Sequence, residues 1–254
     1  MNTVQFVGAG PGAADLLTVR AGRLLAAADT VLYPGSYLDP VMLESCSSTV
    51  ELIDTQNLNL DEIVANILDA HRAGRQVVRL VSGDPSLYSA VSEQTRRLDS
   101  AGVPWEITPG VPGYAAAAAR AGRELTVPLV AQSVVLTRTQ ARSTAMPDTE
   151  SLAAFAATRS TLVLHLAITA TRALMDEIAP AYGPDCPVVV VYRASQPEEL
   201  VIRGTVTDIA DRVEAAGLKQ AAVILVGEAV GAQADPRAGE SHLYDPRRDR
   251  SATS

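Results

Sequence analysis

Short apolar runs typical of β-strands alternate along this chain with stretches of helical periodicity, and this alternation limits the possible fold more than any other feature. In the first half, the runs suited to strands are 3–7, 30–33, 49–53, 76–81 and 104–107. The helical stretches between them are 15–28, 60–73 and 87–100. Strands that alternate with helices in this way predict an α/β domain with a mostly parallel sheet.

A second series of strands and helices follows the segment GRELTVP at 122–128. Its strand candidates are 132–137, 161–166, 187–192 and 221–226, with 198–205 as an added edge or hairpin strand. Its helix candidates lie near 149–157, 170–179 and 206–216, and the alanine-rich stretch 114–122 predicts a helix close to the junction. The sequence therefore predicts two α/β domains and a polar, loosely held tail, with the ranges 1–112, 113–231 and 232–254.

The composition narrows the class of protein. With 254 residues, 47% hydrophobic and 20% charged, the chain fits a soluble globular protein. No apolar run approaches the length of a membrane span, and the N-terminus lacks the features of a secretion signal. Cys46 and Cys186 lie far apart without metal spacing, so reduced thiols and a cytoplasmic location are expected. The net charge of −8 disfavours a nucleic-acid partner.

The first predicted strand runs into the glycine cluster GAGPG at 8–12, and such a loop allows a ligand to approach the backbone closely. Dinucleotide binding is one interpretation, because the glycines loosely fit G-x-G-x-x-A. That interpretation requires an acidic residue at the end of the second strand to bind the ribose. Asp29 precedes that strand and lies at its wrong end, and Pro11 removes a backbone donor from the loop. A dinucleotide is therefore disfavoured.

Two further predicted strands end in turns rich in Gly and Pro, SGDPSLY at 82–88 and TPGVPGY at 108–114. Gly83 permits close approach, and Asp84 can accept hydrogen bonds from a cationic or amino-bearing ligand. The alternative interpretation of this turn is a helix cap by Asp84 or Ser86. Pro85 suits the first turn of a helix. Neither turn has the pattern of a P-loop. Together the three turns predict a ligand that lies against backbone at the carboxyl edge of the sheet.

Seven segments that cover nearly the whole chain resemble, in this order, the tetrapyrrole (corrin/porphyrin) methylases. They are VGAGPGAADLLTVRA, SGDPSLY, TPGVPGYAAAAA, LTRTQARSTAMP, LVLHLAI, YRASQPEELVIRGTVTDIA and SHLYDP. The resemblance implies two α/β domains with S-adenosylmethionine in the cleft between them, usually in a homodimer. The segments YPGSYL, TRTQARSTAMP and SHLYDP are most similar to the members that methylate C-11 of precorrin-4 in cobalamin biosynthesis. The resemblance therefore implies this enzymatic reaction, which gives precorrin-5.

The same resemblance implies contacts with the cofactor, residue by residue, at Pro11, Gly83, Asp84, Leu87, Tyr88, Pro112, Gly113, Leu166 and Ala194. The sequence departs from the family pattern at two points. The third turn reads PGVPGY, where the family usually has Ser or Thr after Pro-Gly-Val, so a hydroxyl contact is expected to be lost or moved. Pro34 stands in YPGSYL where a small residue is expected.

Arginines are the candidates for binding the acetate and propionate groups of the tetrapyrrole, because charge-assisted pairs suit carboxylates. Arg138, Arg142 and Arg193 have this role in one interpretation, and in the other they are solvated loop charges. His165 lies in an apolar strand and is expected to be a core histidine rather than a base. No metal cluster and no catalytic base is identified. Catalysis is therefore expected to depend mainly on alignment of the reacting atoms.

Several alternative functions remain open from the sequence. The nearest are sibling methylases that act on cobalt-precorrin-4 or on uroporphyrinogen III, because the cofactor motifs are shared. A protein that senses S-adenosylmethionine without turnover belongs to a different class, and it would bind S-adenosylhomocysteine but form no methylated product. Ribosomal RNA methylation is disfavoured by the acidic net charge, and an NAD dehydrogenase by the missing ribose-binding acid.

Overall fold

A computed structural model of the protein describes residues 2–35, 38–139, 145–231, 237–242 and 247. The chain forms two compact units. The N-terminal unit consists of Met1–Ala116 and Arg193–Glu198, and the C-terminal unit consists of Ala117–Tyr192 and Glu199–Ser254. Each unit contains one five-stranded sheet. Across the described ranges, every helix is too short or too polar to span a bilayer.

The sheet of the N-terminal unit is entirely parallel, as the alternation of strands and helices predicts. Its strands are β1 (Val4–Gly8), β2 (Thr30–Tyr33), β3 (Glu51–Asp54), β4 (Val77–Val81) and β5 (Trp105–Thr108). Their spatial order is β3-β2-β4-β1-β5, and every neighbouring pair is parallel. The carboxyl ends of all five strands therefore meet at one edge of this sheet.

Alternate residues of the central strands are buried on opposite faces of this sheet. Phe6 and Leu32 pack in one apolar cluster, whereas their chain neighbours Val7 and Val31 pack in another. All five residues of β4 are buried. Burial on both faces explains why these strands read as continuous apolar runs rather than as an alternation of apolar and polar residues.

The sheet of the C-terminal unit is mixed. Its strands are β6 (Val134–Arg138), β7 (Thr161–His165), β8 (Pro187–Tyr192), β9 (Leu200–Thr205) and β10 (Ala222–Val226), in the order β6-β7-β10-β8-β9. Only β6 and β7 pair in parallel, and the other pairs are antiparallel. The predicted edge strand at 198–205 is confirmed as β9. Because β10 is antiparallel to both neighbours, β6, β7 and β8 run in the same direction and end at the same edge.

The helices follow the predicted pattern. They are α1 (Val19–Ala26), α2 (Leu60–Arg72), α3 (Val91–Ser100), α4 (Gly113–Ala121), α5 (Leu152–Ala156), α6 (Thr171–Tyr182) and α7 (Ile209–Ala215). Most are shorter than predicted, but α4 is displaced by one residue and α6 continues beyond its predicted end to Tyr182. The start of α2 has a capping box, in which Asn59 accepts from the backbone of Glu62 and the Glu62 carboxylate accepts from the backbone of Asn59. These bonds satisfy amide donors that have no partner within the helix.

The start of α3 differs from the sequence prediction. A helix was expected from residue 87 with Pro85 in its first turn, but α3 begins at Val91. Tyr88 and Ala90 have φ values of 51° and 52°, in the left-handed region, and this conformation cannot continue a right-handed helix. The segment between β4 and α3 is therefore a long turn rather than the beginning of a helix.

Candidate functional site

Three loops leave the carboxyl edge of the parallel sheet side by side. The first loop is 9–13 after β1, the second is 82–90 after β4, and the third is 109–112 after β5. Because β4, β1 and β5 are neighbours in the sheet, the three glycine-rich turns predicted from the sequence lie next to one another. In open parallel sheets, this edge is where ligands bind.

Glycine backbones pack directly against each other where these loops begin. A Cβ on Gly8 would lie 2.5 Å from the nitrogen of Gly110, 2.7 Å from its Cα and 2.8 Å from the carbonyl oxygen of Gly83. The backbone nitrogen of Gly83 donates to the oxygen of Gly10 at 2.8 Å, and the nitrogen of Gly10 donates to the oxygen of Gly83 at 3.1 Å. Gly8 and Gly110 are thus needed for packing between loops, which is a different reason from the ligand approach expected from the sequence.

Asp84 fastens the second loop to the third. Its carboxylate accepts hydrogen bonds from the backbone nitrogen and the hydroxyl of Ser86, and from the backbone nitrogen of Gly110 at 2.8 Å. Partial burial alone would raise the pKa of Asp84, but these hydrogen bonds outweigh it and hold the pKa below its ordinary value. Asp84 is therefore ionised at neutral pH. It does not cap a helix, because α3 begins seven residues later.

Several non-glycine residues at the candidate positions have strained backbones. Tyr88, Leu166 and Arg193 have φ values of 51°, 54° and 45°, in a region that costs about 1–3 kcal/mol per residue and is found most often at functional sites. Tyr88 and Leu166 also expose 46% and 61% of their surface. Large apolar side chains on strained and exposed turns are suited to contacts with a ligand.

A buried arginine is linked to the end of the second loop through the side chain of Gln94. Arg79 on β4 is 6% exposed, and its guanidinium donates to Gln94 Oε1 at 3.2 Å and to Thr55 Oγ1 at 3.2 Å. Gln94 in turn donates to the carbonyl of Ala90 at 3.0 Å, at the end of the loop. Burial lowers the pKa of Arg79 to about 10, so it stays charged at neutral pH. Arg79 was not predicted from the sequence, although a lone arginine within the apolar run VVRLV was a signal.

In the C-terminal unit, the ends of β6 and β7 bring together Arg138 and His165, two residues considered in the sequence analysis. Arg138 is opposite His165 in the register of these strands. The next residue, Thr139, donates from its hydroxyl to the carbonyl of Leu166 at 3.0 Å. Arg138 is half-buried and donates to the carbonyl of Thr139 at 3.3 Å. Burial lowers the pKa of His165, so its imidazole is neutral at pH 7.

The predicted residues divide between the two units. Arg138 and Leu166 belong to the C-terminal unit, and Arg142 lies outside the described residues. The others belong to the N-terminal unit and are Pro11, Gly83, Asp84, Leu87, Tyr88, Pro112, Gly113, Arg193 and Ala194.

Within this second group, Arg193 forms an ion pair with Glu198 at 3.3 Å, and Ala194 between them is 8% exposed. The ion pair joins the two ends of the segment 193–198. Arg193, Glu198 and the segment between them therefore belong to the same unit as the three loops.

Residues 3–210 match the family described as Tetrapyrrole (Corrin/Porphyrin) Methylases. A precorrin-4 C(11)-methyltransferase of Rhodococcus erythropolis is 50% identical over 248 residues, which cover 98% of this chain and 98% of that protein. The solved structure of a cobalt precorrin-4 methyltransferase, a cobalamin biosynthetic enzyme, has a TM-score of 0.87 and 40% identity, covering 90% of this chain and 96% of that one. A uroporphyrin-III C-methyl transferase from Thermus thermophilus, solved with S-adenosyl homocysteine, has a TM-score of 0.75 and 29% identity, covering 90% and 99%.

Proposed function

The chain belongs to the tetrapyrrole (corrin/porphyrin) methylases, and on that premise we propose that it transfers a methyl group from S-adenosylmethionine to C-11 of precorrin-4. The product is precorrin-5, an intermediate of cobalamin biosynthesis. The observation that carries this proposal is the 50% identity with the enzyme from Rhodococcus erythropolis over nearly the full length of both chains. The metal-free substrate is favoured over cobalt-precorrin-4 because the cobalt enzyme of known structure is only 40% identical.

We propose that the three loops of the N-terminal unit bind the cofactor through their backbone groups and through Tyr88. S-adenosylmethionine supplies a methyl group on a cationic sulfonium, which leaves a neutral thioether after transfer. The closely packed glycine loops and the exposed Tyr88 in the second loop support this assignment. The proposed cofactor contacts are those expected from the sequence: Pro11, Gly83, Asp84, Leu87, Tyr88, Pro112, Gly113, Leu166 and Ala194.

We assign catalysis mainly to positioning by these rigid loops. Holding a methyl donor and its acceptor in the reactive geometry contributes about 7–11 kcal/mol in well-oriented reactions. The hydrogen bonds of Asp84 and the Gly10–Gly83 pair fix the loop backbones before any ligand binds. The loops therefore lose little conformational entropy when the ligand binds. A proton must leave the tetrapyrrole after transfer, and no side chain of this chain is assigned to that step.

The function is tested by mass spectrometry of a reaction that contains the purified protein, freshly generated precorrin-4 and methyl-labelled S-adenosylmethionine. One labelled methyl group, located at C-11 by NMR, is the expected result. A parallel reaction with uroporphyrinogen III tests the sibling activity, and methylation of that substrate alone would replace the proposed one. Tight binding of S-adenosylhomocysteine with no product from either substrate would favour a sensor without turnover.

We further propose that Arg138, Arg142 and Arg193 bind the carboxylates of the tetrapyrrole. The protein has a net charge of −8, but screening at physiological salt limits repulsion between exposed charges to about 8 Å. Local guanidinium groups therefore determine whether a polyanion is attracted. The half-buried position of Arg138 at the end of β6 supports its role, since partial desolvation strengthens such a pair.

Arg138→Ala is expected to raise KM for precorrin-4 about tenfold, because a hydrogen bond to a charged group contributes about 1.5–3 kcal/mol. KM for S-adenosylmethionine is expected to stay within about twofold of the wild-type value. Steady-state kinetics with each substrate varied in turn measures both constants. Arg72→Ala is the control, because that side chain is 68% exposed on α2 and forms a surface ion pair with Asp69. An unchanged KM for precorrin-4 in Arg138→Ala would remove this residue from the substrate site.

The homodimer and the cytoplasmic location expected from the sequence are part of the same proposal. The homodimer rests on membership of the family, in which homodimers are usual, and the cytoplasmic location rests on the two widely separated cysteines. Sedimentation analysis of the purified protein tests the first, and a single species with twice the mass of the 26.6 kDa chain is expected.

A further inference from the structure

Two side chains from the segment 193–198 hydrogen-bond to the backbone of the first loop. Gln196 Nε2 donates to the carbonyl oxygen of Pro11 at 3.0 Å, and the backbone nitrogen of Ala13 donates to Ser195 Oγ at 3.1 Å. These residues are more than 180 positions apart in the chain, yet they all belong to the N-terminal unit. The first loop is therefore fastened at two points on either side of Gly12.

Gly12 fits closely against Gln196. Its φ of 150° lies where side chains are disfavoured, and a Cβ there would lie 2.6 Å from Nε2 and 2.7 Å from Cδ of Gln196. Gly12 is also buried. The glutamine side chain therefore covers Gly12 and reaches the carbonyl of Pro11 beside it. Proline has no backbone N–H, so this carbonyl is the polar backbone group through which the protein holds the middle of the loop.

The segment that carries these side chains is itself a compact turn. The backbone nitrogen of Gln196 donates to the oxygen of Arg193 at 2.9 Å, and the Arg193–Glu198 ion pair joins its two ends. Ser195 has a φ of 70°, which turns the chain sharply at the residue that binds Ala13. A preformed turn loses little conformational entropy when it holds another loop.

We infer that Gln196 and Ser195 are positioning residues that hold the backbone of Pro11–Ala13 in the conformation that binds the cofactor. This inference rests on the proposed function, because Pro11 and the neighbouring Ala194 are proposed cofactor contacts. The two residues link these contacts into one rigid unit. They act through the loop backbone, so their loss weakens cofactor binding and leaves the affinity for the tetrapyrrole and the rate of the bound complex nearly unchanged.

The experiment compares Gln196→Met, Gln196→Glu and Ser195→Ala with the wild-type protein. Methionine preserves the length of the side chain without its donor, whereas glutamate places a negative oxygen against the carbonyl of Pro11. Gln76→Met is the matched control, because Gln76 is exposed and lies outside all three loops. Isothermal titration with S-adenosylhomocysteine measures binding, and kinetics measure KM for both substrates and kcat.

Gln196→Met and Ser195→Ala are each expected to raise Kd for S-adenosylhomocysteine and KM for S-adenosylmethionine about tenfold, and Gln196→Glu more. KM for precorrin-4 and kcat are expected to change less than about twofold. A purely structural role would instead lower the fraction of active protein and kcat together. Wild-type binding in Gln196→Met and Ser195→Ala, with the wild-type protein itself binding well, would overturn this inference alone. A wild-type protein that binds no S-adenosylhomocysteine would overturn the proposed function as well.

Discussion

Gly8→Ala is expected to destabilise the N-terminal unit by about 1–3 kcal/mol and to lower kcat/KM by about 100-fold. The added methyl group would meet the nitrogen and Cα of Gly110 at 2.5 and 2.7 Å. These are backbone atoms, so no side-chain rotation relieves the overlap, and the third loop must move away from the first. A displacement of about 1 Å in a positioning site is enough to cost a factor of about 100 in rate.

Gly22→Ala is the control for this substitution. Gly22 lies within α1, and a Cβ there would meet nothing within 4 Å. Alanine in a helix is more favourable than glycine by about 0.5–1 kcal/mol, so this variant is expected to be as stable as the wild-type protein or more so, with unchanged activity. Urea unfolding and kcat/KM measure the two effects. If Gly8→Ala kept wild-type stability and activity, close packing of the third loop against the first would not be required for either property.

The strands were predictable from the sequence because a buried parallel sheet needs long apolar runs with turns between them. Each predicted strand of the first series corresponds to one of β1–β5 within one or two residues. The start of α3 was not predictable in this way. Tyr88 and Ala90 carry no sequence signal for a positive φ, since that region is usually occupied by glycine.

The glycine loops were located correctly from the sequence, but the reason for their glycines was only partly foreseen. Glycine is selected wherever backbone must approach closely, whether the partner is a ligand or another loop. Gly8 and Gly110 contact each other through backbone atoms, and this pairing depends on the strand order, which places β5 beside β1. No local pattern distinguishes the two uses.

The family was recognisable from its motifs, and the match over residues 3–210 confirms it. The roles of Ser195 and Gln196 were not recognisable, because their partners are 182 and 185 residues away. Contacts of such long range follow from the tertiary fold and not from spacing or periodicity. The individual cofactor and substrate contacts stay predictions, and variants at single positions are the means to test them.

Asp84→Asn is expected to weaken binding of S-adenosylhomocysteine by about 10-fold to 100-fold. Asparagine keeps one oxygen that accepts from Ser86, but its amide nitrogen would face the backbone nitrogen of Gly110, and two donors cannot pair. A hydrogen bond to a charged group contributes about 1.5–3 kcal/mol, and each 1.4 kcal/mol is a factor of ten in an equilibrium constant. Loss of this hydrogen bond shifts the local equilibrium from closed loops towards open loops. A smaller fraction of the protein is then able to bind S-adenosylhomocysteine.

The pH dependence of the stability of this variant distinguishes the effect of the Asp84 charge from the effect of the side chain's shape. Because hydrogen bonds hold the pKa of Asp84 below its ordinary value, its stabilising effect is complete at neutral pH and is lost as the pH falls through that lowered pKa. The stability of Asp84→Asn is therefore expected to fall less steeply in acid than that of the wild-type protein.

Asp54→Asn is the matched control for Asp84→Asn, because Asp54 lies at the carboxyl end of β3, at the same edge of the sheet. It accepts from the backbone of Gln56 at 2.8 Å, as Asp84 accepts from Ser86, but among the described residues it has no hydrogen bond to the third loop. Calorimetric titration at neutral pH and urea unfolding from neutral to acid pH measure both effects. If Asp54→Asn and Asp84→Asn changed binding equally, the bond to Gly110 would not be what holds the second loop. If only Asp84→Asn changed binding, the carboxylate would be assigned to the cofactor site, and an accompanying loss of stability would assign it to joining the two loops.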